Sequence, residues 1–191
     1  LVGMSMGGMI AQTLAARHPH RVATLTSIFS TTGHRRVGQP AWSTVIRLAQ
    51  PAARTADASV ARHLRMLAHI GSPAFPPDAA LERDWAAAVW QRCGATSDGP
   101  AVARQIDAIR ASGDRTADLG RITAPTLVIH GDRDRMVHPS GGRATARAIP
   151  GAQHIEISGM GHHLAPGLLD RLVEYITSLT TTNAQIRGER S

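Results

Sequence analysis

Short β-rich segments alternate with helical segments along this chain, and that alternation most constrains its fold. Residues 22–29 (VATLTSIF) and 125–130 (PTLVIH) are short and rich in β-branched residues, as buried strands are. Residues 154–158 form a third such segment, and Leu1-Val2 read as the end of an earlier strand. Strands separated by helices predict a parallel sheet with helices on both faces, which is an α/β fold. Functional side chains in such folds lie just beyond the carboxyl ends of the strands.

A long stretch without β-rich segments, residues 33–118, lies between the second and third predicted strands. Apolar residues recur at helical spacing in four of its segments, at residues 42–50, 58–70, 78–92 and 101–112. Gly71, Gly94 and Gly113 occupy helix C-cap positions, and Asp78 is a candidate N-cap. The sequence therefore predicts a core made of residues 1–32 and 119–180, a helical insert at 33–118, and a flexible tail at 181–191.

Composition excludes several functional classes. The 21 basic side chains against 14 acidic ones give a charge of +7, but all 21 are arginines dispersed along the chain and aromatic residues are only 3%. With so little to stack on bases, we expect no nucleic-acid partner. No run of about 18 apolar residues exists, so we expect no membrane span. We expect a cytoplasmic protein, and any targeting signal would lie upstream of Leu1. The single cysteine, Cys93, excludes an internal disulfide and a four-cysteine zinc site.

The motif Gly3-x-Ser5-x-Gly7 lies where a predicted strand ends and a predicted helix begins. A serine on such a tight turn is held in a strained backbone that lifts its hydroxyl above the sheet, and small neighbours are needed to let the turn close. A glycine-rich helix start with an incidental serine is the structural alternative. We interpret Ser5 as a candidate nucleophile.

A serine hydroxyl is a weak nucleophile near neutral pH and needs a general base. His162 and His163 follow a glycine-rich turn, residues 159–161, which comes directly after the predicted strand 154–158. That turn can present an imidazole over the same sheet edge as Ser5. His162 is the preferred base and His163 the alternate.

The base in turn needs a carboxylate that fixes its tautomer and stabilises the imidazolium. Asp132 and Asp134 both follow the predicted strand 125–130, so either side chain can reach that sheet edge. The chain order Ser, Asp, His is the one expected of an α/β-hydrolase. Two solvated aspartates, one of them capping a turn, are the structural alternative.

Three segments resemble the α/β-hydrolase fold family: LVGMSMGGM, PTLVIHGDRDRMVHP and GMGHHLAP. The resemblance runs from Leu1 to about residue 179, and within the family it is strongest to small-molecule serine esterases, methylesterases and lactonases. It implies a nucleophile at Ser5, an acid at Asp134, a base at His162 and an oxyanion donor at the Met6 backbone N–H. It also implies that the insert is a cap over the site, that the substrate is a small ester or lactone, and that neither a metal nor an organic cofactor is needed.

By the same resemblance, the family's first strands and its second oxyanion-hole loop do not occur in this sequence. We interpret the chain as the carboxyl-terminal part of a longer protein, beginning at the nucleophile turn. The strand before Ser5 would then keep one of its two sheet neighbours and expose an apolar edge. We expect residues 1–191 alone to fold poorly and to be inactive, and the full-length protein to be an enzyme.

Three alternatives remain on the sequence alone. The same fold and nucleophile serve carbon–carbon bond hydrolases and cofactor-free perhydrolases, and a hydrolase fold can also act as a non-catalytic ligand-binding protein. A metal site is the third alternative, built from residues of types that suit zinc: His130, Asp132, Asp134, His138 and His162. Their spacing matches no helical metal motif and leaves Ser5 without a role.

Overall fold

A computed structural model describes residues 1–94 and 100–188 of the 191-residue chain. Its centre is a four-stranded sheet in the order β1-β2-β3-β4, and every neighbouring pair is parallel. The strands are β1 (Val2–Met4), β2 (Leu25–Ile28), β3 (Thr126–Gly131) and β4 (Gln153–Ile157). The predicted α/β class with a parallel sheet is confirmed. The second strand is shorter than the predicted 22–29: Val22 is the C-cap of the 3₁₀ turn Pro19–Arg21, and Phe29 follows the strand with a positive φ of 35°.

Helices cover the two faces of the sheet. One face carries α1 (Met6–Arg17), α6 (Thr116–Leu119) and α7 (Ser140–Ala148). Buried side chains of α1, of α6 and of Ile149, which follows α7, pack there around Leu25. On the opposite face, α8 (Pro166–Gly188) packs against Leu127 and Ile129 of β3. β2 and β3 are buried on both sides, as central parallel strands are, which explains their apolar and β-branched sequences. β1 is an edge strand, with Val2 57% and Met4 52% exposed.

The segment between β2 and β3 is helical, as predicted. Its helices are α2 (Trp42–Leu48), α3 (Ala56–Ile70), α4 (Ala79–Cys93), α5 (Pro100–Ser112) and α6, and residues 95–99 of the predicted insert lie outside the described part. Asp78 caps α4 by accepting hydrogen bonds from Ala80 N–H and Leu81 N–H. Gly94 and Gly113 take the positive φ expected of C-cap glycines, at 56° and 63°.

Two features of the helices differ from the predictions. The short helix α6 was not predicted, because four residues are too few to show a helical period, although Leu119 anchors it with no exposed surface. The last helix, α8, continues past residue 180, where a polar tail was predicted. Asn183 lies within that polar stretch but is only 8% exposed and donates a hydrogen bond to Ala23 O at 3.3 Å. Residues 189–191 of the predicted tail lie outside the described residues.

No helix among residues 1–94 and 100–188 combines the length and the apolar character that crossing a bilayer requires.

Candidate active site

Ser5 occupies the turn between β1 and α1 with a strained backbone, at φ 51° and ψ −122°. A left-handed φ is costly for any residue that carries a Cβ atom. The turn closes only because its neighbours are glycines: a Cβ on Gly3 would collide with the Gly7 carbonyl, and a Cβ on Gly8 would lie 2.7 Å from the Ser30 Cβ. The space at Gly7 is open, so the glycine that the packing requires after the serine is Gly8.

The end of β2 braces this turn. Ser5 N–H donates a hydrogen bond to Ile28 O at 2.9 Å, and the Ser30 hydroxyl donates to Ser5 O at 2.8 Å. Both contacts fix the backbone of Ser5 and leave its hydroxyl free to face another loop.

That hydroxyl lies in a row with an imidazole and a carboxylate from two other loops. Ser5 Oγ is 2.9 Å from His162 Nε2, and His162 Nδ1 is 2.7 Å from Asp134 Oδ2. When Nδ1–H donates to the carboxylate, Nε2 has a lone pair that can accept the serine proton. The structure thus brings Ser5, Asp134 and His162 together from positions after β1, β3 and β4.

The surroundings of Asp134 keep its carboxylate ionised. Its side chain has no exposed surface, and Oδ1 accepts hydrogen bonds from the N–H groups of Met136 and Val137, both at 2.8 Å. Burial alone raises the pKa of Asp134, but hydrogen bonds from His130 and His162 outweigh burial and hold the pKa below its usual range. A negative charge beside His162 Nδ1 favours the tautomer that has its proton on Nδ1 and a lone pair on Nε2, facing Ser5.

A family model described as the alpha/beta hydrolase fold matches residues 1–165. The chain belongs to the α/β-hydrolase fold family. The resemblance drawn from the sequence is thereby confirmed.

Relatives within the α/β-hydrolase fold family include two named methylesterases. The chain is 30% identical to rhodomycin D methylesterase DnrP of Streptomyces peucetius and 32% identical to rhodomycin D methylesterase DauP of Streptomyces sp. strain C5. In both cases 94% of this chain is covered, and the chain spans 66% of the relative's length. Among solved structures, the enol-lactonase from Burkholderia xenovorans LB400 superposes with a TM-score of 0.65 at 26% identity, covering 94% of this chain and 64% of that one.

The two alternate residues lie elsewhere in this α/β-hydrolase. Asp132 Oδ1 accepts a hydrogen bond from Gly159 N–H at 2.7 Å, and Asp132 therefore fastens the loop after β3 to the turn that precedes His162. His163 Nε2 is 2.8 Å from Glu82 Oε1 on α4, and its ring contacts the insert instead of Ser5. Met6, the predicted oxyanion donor, is the first residue of the twelve-residue helix α1, directly after Ser5.

Two further residues contact the row of Ser5, His162 and Asp134, and the sequence did not single them out for this role. Phe29 follows β2 with a positive φ of 35°, is 2% exposed, and its ring centroid lies 4.4 Å from that of His162. His130 is fully buried, and its Nε2 lies 2.8 Å from Val137 O and 3.4 Å from Asp134 Oδ2. The imidazole of His130 therefore contacts the loop after β3 that carries Asp134. Phe29 has no sequence signal beyond that of a buried strand residue. His130 could have been found, because it ends the predicted strand 125–130 just before the loop that carries Asp132 and Asp134.

The five candidate metal ligands divide among three separate groups of contacts. His130 and His162 both approach Asp134, Asp132 bonds Gly159, and His138 Nδ1 is 2.9 Å from the Ser140 hydroxyl. In the part of the chain that the structure describes, no three His, Cys, Asp or Glu side chains are arranged to hold a metal ion.

Proposed function

We propose that the full-length protein is a serine hydrolase that cleaves carboxylic esters or lactones of small molecules. The observation that carries this proposal is the hydrogen-bonded row from Ser5 through His162 to Asp134. The named methylesterases and the enol-lactonase among the relatives support an ester or lactone as the substrate class. A methyl ester of a small carboxylic acid is the substrate that we favour.

In the proposed reaction, Ser5 Oγ attacks the ester carbonyl carbon while His162 Nε2 takes the hydroxyl proton. The negative charge that develops on the carbonyl oxygen is stabilised by the Met6 N–H at the positive end of α1. Collapse of the tetrahedral intermediate breaks the carbon–oxygen bond, and His162 returns the proton to the departing alcohol. Water, activated by the same imidazole, then releases the acid from the acyl-enzyme. Asp134 remains ionised and stabilises the imidazolium during both steps.

The direct test is covalent labelling and turnover of the full-length protein. A fluorophosphonate probe should attach to the peptide that contains Ser5, and a methyl ester or a nitrophenyl ester should be hydrolysed. Absence of both labelling and turnover would contradict the proposal and favour a non-catalytic ligand-binding protein. Turnover of a dienone acid with inert esters would instead indicate carbon–carbon bond hydrolysis.

Phe29→Leu is expected to lower kcat by about 3- to 10-fold with little change in KM. The substitution keeps an apolar side chain but removes a ring contact of the kind that contributes about 0.5–1.5 kcal/mol, and His162 would lose that restraint on its orientation. The chain's other phenylalanine, Phe75, packs on the same apolar cluster at a partly buried position, which makes Phe75→Leu the matched control. Steady-state kinetics of both variants decide the matter, because equal losses of kcat would indicate a general packing defect.

A further inference from the structure

A second group of polar side chains lies beside the row of Ser5, His162 and Asp134, and none of its members takes or gives a proton in the proposed reaction. Glu82 on α4 binds two imidazoles at once: Oε2 is 2.8 Å from His63 Nε2 on α3, and Oε1 is 2.8 Å from His163 Nε2. The three side chains are largely buried, with exposed fractions of 28% for His63, 15% for Glu82 and 19% for His163. One carboxylate thus joins two helices of the insert to the residue that follows His162. We call this group the Glu82 clamp.

The proton positions in the Glu82 clamp follow from its surroundings. An ionised carboxylate only accepts hydrogen bonds, so a hydrogen bond between His163 Nε2 and Glu82 Oε1 requires the proton on Nε2. His163 Nδ1 is buried and has no hydrogen-bond partner in the described part of the chain. Burial raises the pKa of Glu82, but the hydrogen bonds from His63 and His163 outweigh burial and keep the pKa below its usual range. Glu82 is therefore an ionised acceptor for two N–H donors, and such charge-assisted bonds are stronger than neutral ones.

The backbone beside the Glu82 clamp connects the insert to His162 itself. His162 N–H donates to Ile70 O, the last residue of α3, at 2.7 Å, and Gly161 N–H donates to the Ser72 hydroxyl at 2.9 Å. A Cβ on Gly161 would collide with the carbonyls of Ile70 and Gly71, so only glycine permits this approach. The end of α3 is in direct contact with the backbone of the candidate base.

We propose that Glu82 is a positioning residue for the reaction: by binding His63 and His163 together, it fastens α3 and α4 to the loop of His162 and holds that imidazole on Ser5. This inference rests on the proposed function. The inference goes further than the proposed function because the position of the insert, held by the Glu82 carboxylate, would help to set the catalytic rate. The ring of Trp85 packs on His63, with centroids 5.1 Å apart.

Two matched pairs of variants of the full-length protein test the Glu82 clamp. Glu82→Gln offers one acceptor oxygen and one NH₂ group to two N–H donors, whereas Asp84→Asn makes the same chemical change at an exposed position of α4. His163→Gln keeps an N–H donor for Glu82 and loses only the unpartnered Nδ1, whereas His163→Leu loses the donor. We expect Glu82→Gln and His163→Leu to lower kcat by about 10- to 100-fold, as small displacements of a catalytic group do. Asp84→Asn should stay within about twofold of wild type, and His163→Gln should recover most of the rate that His163→Leu loses.

A lower melting temperature with unchanged kcat in Glu82→Gln would overturn the proposal, because it would show a purely structural contact. Glu82→Gln and His163→Leu break the same contact, so their losses of kcat should not multiply in the double variant. Losses that do multiply would overturn the proposal as well. If the wild type hydrolyses no ester, the proposed function fails. NMR of the imidazole N–H protons then tests the Glu82 clamp without any need for turnover. The His162 Nδ1–H resonance should then shift in Glu82→Gln and not in Asp84→Asn, and an unshifted resonance would reject the clamp.

Discussion

Ser5→Ala in the full-length protein is expected to lower kcat for a methyl ester by about 10⁴- to 10⁶-fold. The substitution removes the only atom that the proposed reaction joins to the substrate, so neither His162 nor Asp134 can act through it. Substitutions within such a catalytic unit have strongly non-additive effects on kcat. Adding Asp134→Asn to Ser5→Ala should therefore lower kcat hardly any further. Initial rates at saturating substrate, together with loss of fluorophosphonate labelling, measure the effect.

The fold should tolerate Ser5→Ala because alanine takes the left-handed backbone of the turn at the same cost as serine. The bonds that brace the turn, from Ser5 N–H to Ile28 O and from the Ser30 hydroxyl to Ser5 O, involve only the backbone of residue 5 and remain. Ser178→Ala, at an exposed position of α8, controls for loss of a hydroxyl elsewhere. If Ser5→Ala keeps more than about one hundredth of the wild-type rate, another nucleophile is responsible.

The sequence predicted the parallel sheet because its signals are local. A buried strand such as β3 is a continuous apolar run whatever surrounds it, and the glycines around Ser5 indicate a tight turn by themselves. The three triad candidates could be named because each follows a strand, and parallel strands bring their carboxyl ends to one edge. No sequence pattern specified which aspartate faces His162; the family resemblance favoured Asp134.

The remaining contacts depend on distances that no local pattern encodes. Glu82 and His163 are 81 positions apart, and Glu82 reads as an ordinary solvated residue in the first turn of a helix. Phe29 carries the signature of a buried strand, and only its positive φ and the ring beside it indicate another role. The length of α8 was underestimated because Asn183 is anchored by a backbone carbonyl 160 positions away.

Asp134→Asn is expected to lower kcat by about 10⁴-fold, whereas Asp132→Asn should stay within about threefold of wild type. The asparagine oxygen can still accept the N–H groups of Met136 and Val137, which turns its NH₂ group toward His162 Nδ1. That nitrogen must then accept a hydrogen bond, the ring proton moves to Nε2, and Ser5 faces a donor where it needs an acceptor. Asp132 bonds Gly159 N–H, and an asparagine oxygen can replace that contact. Equal losses in the two variants would reject the assignment of the acid.

Asp134→Asn should also differ from the wild type in acid sensitivity. The pKa of Asp134 is lowered in the folded protein, so its carboxylate contributes stability that is present above the unfolded value of about 3.9 and is lost as pH falls through the lower folded value. The amide side chain of the Asp134→Asn variant cannot take up that proton on unfolding, so the stability of this variant should fall less steeply between about pH 5 and pH 2. Urea unfolding at a series of pH values measures the slope. Parallel slopes for wild type and Asp134→Asn would show that the carboxylate is not held ionised by the fold, and with it the electrostatic reason for the His162 tautomer would be lost.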